Sequence, residues 1–173
     1  LIGLFASLIL SIEAITLATN PAAVLSCDIS SKISCGVVAQ TWQAQLFGWP
    51  NSFLGLIAEP VVITVAVAAL GGVRFPRWFM LTAQAIYTLG FLFAWWLFYQ
   101  SYFVIGALCP WCLLITITTT LVFMSMSRVN ILDGNFGAGI TRALTPALSW
   151  WGDVWVSVLI MAALAAAVIF RYL

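Results

Sequence analysis

The sequence predicts an all-α integral membrane protein, and three observations support this fold class. The 173 residues are 64% hydrophobic and only 6% charged, whereas soluble domains carry about 25% charged residues. A chain this apolar cannot hide its surface in one water-soluble core, so lipid must serve as its solvent. Several segments are long enough to cross a bilayer, and the polar residues concentrate in two stretches between them.

Each predicted span approaches the ~20 apolar residues that a helix needs to cross the hydrocarbon core. The predicted spans are residues 1–18, 53–71, 78–99, 109–127 and 155–170. A long polar stretch follows the first span, and a stretch rich in Gly and Asn precedes the last. We therefore expect a chain made almost entirely of membrane helices.

Basic residues predict the orientation, because cytoplasmic loops collect Lys and Arg. Four of the six basic residues fall in the two loops that share one side, namely Arg74, Arg77, Arg128 and Arg142. The polar stretch after the first span and the start of the fourth span then face the extracytoplasmic side of the cell inner (plasma) membrane. The net charge of +1 indicates no basic patch, so we expect membrane lipid and no nucleic acid as a partner.

The four cysteines form two pairs on that predicted outer side. Cys27 and Cys35 lie in the polar stretch, and Cys109 and Cys112 open the fourth span as a CxxC motif. A CxxC close to lipid, with a second pair available for disulfide exchange, is typical of an enzyme that passes electrons between protein thiols and a lipid-soluble carrier. We expect the disulfide of the polar stretch to be exposed and reachable by another protein.

The CxxC motif also predicts where a helix starts. Pro110 suits the first helical position, because its missing N–H costs nothing there. Cys109 then becomes the N-cap and Cys112 lies in the first turn. The partial positive charge of a helix N-terminus favours the reactive thiolate.

The cysteines are also compatible with different functions. Four thiolates can hold zinc, but Cys27 and Cys35 are spaced more widely than zinc ligands usually are, so we predict no metal. The protein could instead be a scaffold or channel with a structural disulfide, or a thiol carrier that uses no quinone. Four cysteines allow three pairings, and the sequence does not choose among them.

The arrangement resembles the vitamin K epoxide reductase family over about residues 5–128. Residues 27–35 resemble the family's Cys-Asp-x5-Ser-Cys loop, and residues 51–55 resemble the Asn-Ser start of its second span. The CxxC followed by the Thr-rich residues 116–120 resembles its CxxC helix. The resemblance implies a four-helix bundle around a quinone site, to which bacterial members add a fifth transmembrane helix.

On this basis we expect one membrane domain over 1–173. It comprises a core bundle at about 1–128, a cytoplasmic link at about 129–149 and the fifth helix at about 150–171. The fifth span points to the bacterial type of the family.

The resemblance also implies roles for the cysteines. Cys112 would lie next to the quinone, Cys109 would exchange with Cys35, and Cys27 would form the mixed disulfide with a partner. The implied activity is that of a disulfide-bond-forming thiol:quinone oxidoreductase. Such an enzyme reoxidises a thioredoxin-fold (DsbA-like) partner, separate or fused after the fifth helix, and reduces a membrane quinone, either menaquinone or ubiquinone.

Other residues are expected at the quinone through the same resemblance. Asn51 would donate a hydrogen bond to a quinone carbonyl, and Phe53, Trp111 and Thr116 would also contact the quinone. Vertebrate members have a tyrosine where this chain has Thr116, which argues against the alternative activity, reduction of vitamin K epoxide by the same cysteines. Thr41 falls where the family has a Ser or Thr near the active site.

Two acidic residues lie within predicted spans, Glu13 and Glu59. Ionisable residues inside a membrane are costly and indicate function by default. Quinone reduction consumes two protons, and the chain has no histidine to supply them. We therefore regard both glutamates as candidates for the proton path.

Overall fold

The computed structural model describes residues 1–172, and its regular structure is helical. In chain order its helices are α1 (Ile2–Thr19), α2 (Cys35–Ala39), α3 (Ser52–Leu70), α4 (Arg77–Tyr99), α5 (Pro110–Leu132), α6 (Ala138–Ser149) and α7 (Gly152–Tyr172). Residues 1–172 contain no extended strand, and an isolated parallel bridge joins Ile33 to Leu108. The predicted all-α class is confirmed.

The predicted membrane spans are also confirmed. Within residues 1–172, five helical segments are long and apolar enough to cross a bilayer: Ile2–Thr19, Ser52–Leu70, Arg77–Ile105, Pro110–Leu132 and Gly152–Tyr172. The chain is therefore a multi-pass membrane protein. The third segment extends beyond its predicted end because α4 continues into a wider π-helical turn. This turn ends at Gly106, which has a left-handed φ of 73°.

The polar stretch between the last two spans is partly helical, which the sequence did not indicate. The helix α6 begins after Gly137, whose φ of 97° is readily accessible only to glycine. Its apolar and polar residues fall on different faces, as in a helix that lies along a surface.

The chain divides into two compact units. One comprises Leu1–Val73 and Phe93–Thr118, and the other comprises Arg74–Leu92 and the residues from Thr119 onward. Helices α4 and α5 each contribute residues to both units. All four cysteines belong to the first unit, and Arg74, Arg77, Arg128 and Arg142 belong to the second. The predicted single membrane domain over 1–173 stays a prediction.

In the first unit, small residues let α1 and α3 pack closely and antiparallel. Gly3, Ser7 and Ser11 follow one another at helical spacing and are buried in α1. A side chain at Gly55 would collide with Ser7 Oγ, and Ser11 Oγ lies 3.0 Å from Ser52 Oγ. Small residues of this kind are common where membrane helices meet. As a result, the end of α1 and the start of α3 lie side by side, next to the cysteine loop.

In the second unit, a chain of polar side chains is buried and hydrogen-bonded. Gln84 donates to Ser127 Oγ at 3.1 Å and accepts from Asn130 Nδ2 at 2.9 Å. Asn135 donates to Asn130 Oδ1 at 2.8 Å, and Arg77 Nε donates to the Asn135 carbonyl at 2.8 Å. Because buried polar groups are costly unless they are paired, this network fixes α4, α5 and the turn after α5 in one arrangement.

An ion pair fixes the start of α7 to α5. Arg128 donates to Asp153 at 2.7 Å, and its guanidinium lies 5.4 Å from the centre of the Trp151 ring. Asp153 is in the first turn of α7, where a negative charge also interacts favourably with the helix dipole. The fifth span is therefore anchored to the fourth by charge as well as by apolar contact.

We expect Asn130→Leu to destabilise the protein although leucine has a similar branched shape. The substitution leaves buried partners on Gln84 and Asn135 unpaired, which costs about 1–3 kcal/mol for each group. For a chain of this size, each kcal/mol lowers the melting temperature by about 2–4 °C. Thermal unfolding in detergent measures this change. Thr145→Ala, on the exposed side of α6, is the control, and an equal melting temperature in both variants would contradict the network's role.

Candidate thiol–disulfide site

The first cysteine pair forms a disulfide at the base of the polar loop. Cys27 follows α1 by eight residues and is bonded to Cys35, the first residue of α2, with their Cα atoms 5.6 Å apart. Ser34 caps α2, because its Oγ accepts a hydrogen bond from the Val37 N–H at 3.1 Å. A hydroxyl at this position satisfies one of the N–H groups left unpaired at a helix start. The short helix therefore presents Cys35 in a fixed position.

Asp28 holds the two ends of the loop together. Its Oδ1 accepts from Ser34 Oγ at 2.6 Å and from the Gly36 N–H at 2.9 Å. Its Oδ2 accepts from the Leu25 N–H at 2.8 Å. A Cβ at Gly36 would approach Asp28 Oδ2 to 3.0 Å, so a larger residue there would push the carboxylate away from its hydrogen-bond donors. One carboxylate thus ties residues beside Cys27 to residues beside Cys35.

These hydrogen bonds also change the acidity of Asp28. Its partial burial acts to raise the pKa, but donation by Ser34 Oγ and by the backbone N–H groups of Gly36 and Leu25 stabilises the charged form. The pKa of the Asp28 carboxyl is therefore held below its ordinary value. Asp28 is consequently ionised at neutral pH.

A backbone pairing brings the loop against the CxxC motif. The Ser34 N–H donates to the Leu108 carbonyl at 3.0 Å, and the Leu108 N–H donates to the Lys32 carbonyl at 2.8 Å. Cys35 and Cys109 directly follow two of these paired residues. Their sulfur atoms lie 3.1 Å apart, in direct contact.

The CxxC motif begins a helix at the predicted residue. Pro110 is the first residue of α5, which confirms its predicted position. Cys109 Sγ accepts from the Cys112 N–H at 3.3 Å, so the sulfur occupies the place of an N-cap acceptor. Cys109 and Cys112 are free thiols. The site thus pairs one disulfide with one dithiol.

The expectation of an exposed loop disulfide was wrong. The exposed fraction is 6% for Cys27 and 1% for Cys35, and Cys109 is likewise exposed by 1%. Apolar side chains cover the sulfur atoms; they are Leu17, Leu25, Val38 and Ala107. The polar middle of the loop is exposed, whereas the cysteines at its ends are buried beneath it.

A carboxyl group lies against the disulfide, which the sequence did not indicate. Both oxygens of Glu13 are 3.5 Å from Cys27 Sγ, and Oε1 accepts from Ser26 Oγ at 2.9 Å. One oxygen of Glu13 and the sulfurs of Cys27 and Cys35 lie within 4.8 Å of one another. Since only a thiolate sulfur is a metal ligand, the bonded cysteines do not offer this cluster to a metal ion.

Asn51 lies directly before α3 with one polar atom unpaired. Its Nδ2 donates to the Gln43 carbonyl at 2.6 Å, while its buried Oδ1 has no partner. Gln43 is itself buried, and its side chain reaches Gln100 Oε1 at 3.4 Å. The expected hydrogen bond from Asn51 to a quinone carbonyl must therefore use the second hydrogen of Nδ2.

The other predicted quinone contacts occupy different positions around the cysteines. Trp111 packs against the apolar cover of the disulfide and meets the Phe5 ring edge-on at 5.9 Å. Thr116 is buried, and its hydroxyl donates to the Cys112 carbonyl at 3.0 Å. Thr41 donates to the Val38 carbonyl at 2.7 Å. Their predicted roles at a quinone are untested by these contacts.

Phe53 is part of a run of aromatic rings that the sequence did not reveal. It stacks on Trp49, and the contacts continue ring by ring to α4 at centroid distances of 5.8 to 6.2 Å. The rings in order are Phe53, Trp49, Phe47, Phe93, Trp96 and Trp42. From the sequence, such tryptophans are readily interpreted as lipid anchors, because their spacing does not disclose their partners.

Two cavities lie elsewhere in the described residues. One of about 190 Å³ in the first unit has Gln40, Gln45 and Trp49 in its lining. Another of about 580 Å³ in the second unit has Met124 and Met161 in its lining. Neither of these two cavities has a cysteine in its lining.

A multi-pass membrane protein with a buried disulfide in contact with a CxxC dithiol belongs to the class of membrane disulfide oxidoreductases. The sequence model of the vitamin K epoxide reductase family matches residues 1–127, most of the chain, and the protein belongs to this family. Its members are oxidoreductases that act with quinones and redox partners. A comparison with curated proteins found no match.

We expect Asp28→Asn to loosen the loop, because an amide has one acceptor oxygen in place of two. Amide hydrogen exchange of residues 25–37 measures this, with Asp133→Asn, an exposed acid, as the control. In the wild type, the hydrogen bonds that lower the pKa of Asp28 stabilise the loop fully when the pH is above about 3.9, the pKa of an aspartate in the unfolded chain. That stabilisation is lost as the pH falls through the pKa of Asp28 in the folded protein, which is lower. Equal protection of the loop in wild type and Asp28→Asn at neutral pH would contradict the role of Asp28.

Proposed function

We propose that this protein is a membrane thiol:quinone oxidoreductase that generates protein disulfides. It reoxidises a thioredoxin-fold (DsbA-like) partner through Cys27 and Cys35, and it passes the electrons through Cys109 and Cys112 to a membrane quinone. The observation that carries this proposal is the 3.1 Å separation of Cys35 Sγ and Cys109 Sγ. Disulfide exchange requires direct attack of one sulfur on another, and no atom fits between these two.

The free and bonded cysteines support one direction for the proposed relay. The reduced partner attacks Cys27, breaks the Cys27–Cys35 bond and leaves with its own disulfide, so that both loop cysteines become thiols. Cys35 then attacks Cys109 of an oxidised CxxC, which releases Cys112 as a thiolate. Cys27 next attacks Cys35, restores the loop disulfide and releases Cys109. The described arrangement, with the loop oxidised and the CxxC reduced, corresponds to the end of this sequence.

The burial of the disulfide means that the partner must first open the loop. Cys27 is covered by Leu25 and Leu17, while Ile29 and Val37 expose apolar side chains on the loop surface. Exposed apolar groups beside a buried reactive bond are suited to bind a protein. We infer that the partner binds this surface and displaces the cover as it attacks.

A quinone, when bound, accepts the two electrons of the CxxC dithiol together with two protons. The residues that fit its binding are Asn51, whose buried Oδ1 has no partner, and the rings of Phe53 and Trp111. An unpaired buried acceptor is unusual, and a hydroxyl of the reduced ring would satisfy it. Thr116 contributes only if its hydroxyl leaves the Cys112 carbonyl.

The proposed location is the cell inner membrane, with the cysteines on the extracytoplasmic side. The support comes from charge: Arg74, Arg77, Arg128 and Arg142 all lie in the loops opposite to the cysteines in the predicted topology. Disulfides also persist in that compartment.

Purified protein in lipid nanodiscs, given a reduced thioredoxin-fold partner and a quinone, is expected to form quinol. Cys112→Ser is expected to abolish quinol formation, because no thiolate then reaches the quinone. Ser125→Ala, on the exposed side of the same helix, is the control and should keep the wild-type rate.

Three outcomes of this assay discriminate between the candidate functions. Exchange between the partner and Cys27–Cys35 without quinol would leave a disulfide carrier. Quinol formation by Cys112→Ser would place the transfer step at another residue. Turnover of vitamin K epoxide in the same assay, without net oxidation of the partner by quinone, would favour an epoxide reductase.

A further inference from the structure

Glu13 is a buried acid that the proposed relay does not use. It is the one ionisable residue of α1, and its exposed fraction is 8%. Burying a carboxyl group among apolar side chains is costly unless it is paired. A role that requires a carboxyl group at this place would explain why it is retained.

The contacts of Glu13 fit one redox state of Cys27 better than the other. Both carboxyl oxygens are 3.5 Å from Cys27 Sγ, but a bonded sulfur has no hydrogen to donate. The Ser26 hydroxyl satisfies only Oε1, at 2.9 Å. The contact becomes a hydrogen bond if Cys27 is a thiol, or if the carboxyl group itself carries the proton.

We propose that Glu13 is the acid–base residue of Cys27, a role that rests on the proposed thiol–disulfide relay. It takes the proton from the Cys27 thiol when Cys27 attacks, and it returns the proton when Cys27 leaves. General acid–base catalysis requires the group to lie within reach of the proton that moves, and Glu13 meets this condition. It is thus assigned to the thiol end of the relay and not to the quinone.

The step balances as follows in the direction of turnover. Before it, Cys35 is bonded to Cys109, Cys27 is a thiol and Glu13 is a carboxylate. Glu13 accepts the Cys27 proton, the Cys27 sulfur attacks Cys35, and the Cys35–Cys109 bond breaks. The products are the Cys27–Cys35 disulfide, a protonated Glu13 and the Cys109 thiolate. No electron is gained or lost beyond the exchange of one disulfide for another.

The products correspond to the described arrangement. Cys109 Sγ remains 3.1 Å from Cys35 Sγ, and the Glu13 carboxyl group remains against Cys27. The other titratable groups that act on Glu13 are Asp28 in the loop and Cys112 in α5.

The first test uses neither quinone nor partner. Oxidised full-length protein in nanodiscs is reduced with excess dithiothreitol at about pH 4 to about pH 9, a range that includes the ordinary pKa values of a glutamate and of a thiol. Release of the Cys27 thiol is followed by quenched alkylation and peptide mass spectrometry. Each rate is divided by the concentration of the dithiothreitol thiolate, which removes the pH dependence of the reagent.

The wild-type rate so corrected should fall as the pH rises, because Glu13 loses the proton that it gives to the leaving Cys27. Glu13→Gln should have a flat profile and be at least about tenfold slower than the wild type at the lower pH. Glu13→Asp should retain part of the pH dependence. Asp133→Asn, which changes an exposed acid to its amide, should match the wild type.

Two results would overturn the proposal. One is a Glu13→Gln profile that matches that of the wild type. The other is a Glu13→Gln rate that is lower than the wild-type rate by the same factor at every pH. Such a result indicates that Glu13 only positions the loop. Quinone turnover of the same proteins distinguishes this proposal from the proposed function. If the wild type reduces no quinone but keeps the pH-dependent release of Cys27, the proposed function is refuted and the role of Glu13 is not.

Discussion

Two backbone hydrogen bonds determine the geometry of this redox site. They join Ser34 and Lys32 in the cysteine loop to Leu108 before the fourth span. Cys35 follows Ser34, Cys109 follows Leu108, and each cysteine stands at the start of a helix. Residues that are 74 positions apart in the chain thereby bring their sulfur atoms into contact. The proposed chemistry depends on this pairing, because neither helix alone brings one sulfur to the other.

Burial gives the site a second property, which is protection. Cys27, Cys35 and Cys109 are all buried, so small thiols have poor access to a disulfide that is nonetheless in contact with its exchange partner. Asp28 keeps the loop closed through hydrogen bonds to both of its ends. A site that opens for a bound protein and exchanges internally when closed keeps its disulfide from being reduced by thiols other than those of its partner.

Much of the fold could be predicted from the sequence, because its signals are local. Apolar length predicts the spans, and Pro110 marks the start of α5. The prediction of an exposed loop disulfide was wrong because polarity was averaged over the loop. Ser30, Ser31 and Lys32 are indeed exposed, whereas the cysteines lie at the base, where the chain returns to the helices.

Other features of the site depend on contacts that no spacing in the sequence encodes. Glu13 is in α1, and its approach to Cys27 depends on the turn of the chain after that helix. The unpaired Oδ1 of Asn51 follows from the position of Gln43, and the aromatic run from Phe53 to Trp42 joins three separate segments. The helix α6 was missed because Gly137, Gly139 and Pro146 are typical of loops.

Direct exchange between Cys35 and Cys109 is the central claim, and disulfide mapping of Cys112→Ser tests it. Without Cys112, a Cys35–Cys109 disulfide cannot be resolved by its CxxC partner, so it should accumulate with Cys27 as a free thiol. Peptide mass spectrometry after alkylation under denaturing conditions identifies the bonded and free cysteines. We expect a fraction of molecules with the Cys35–Cys109 bond beside those with Cys27–Cys35. A free Cys109 in every molecule, or a bond from Cys109 to Cys27, would contradict direct exchange.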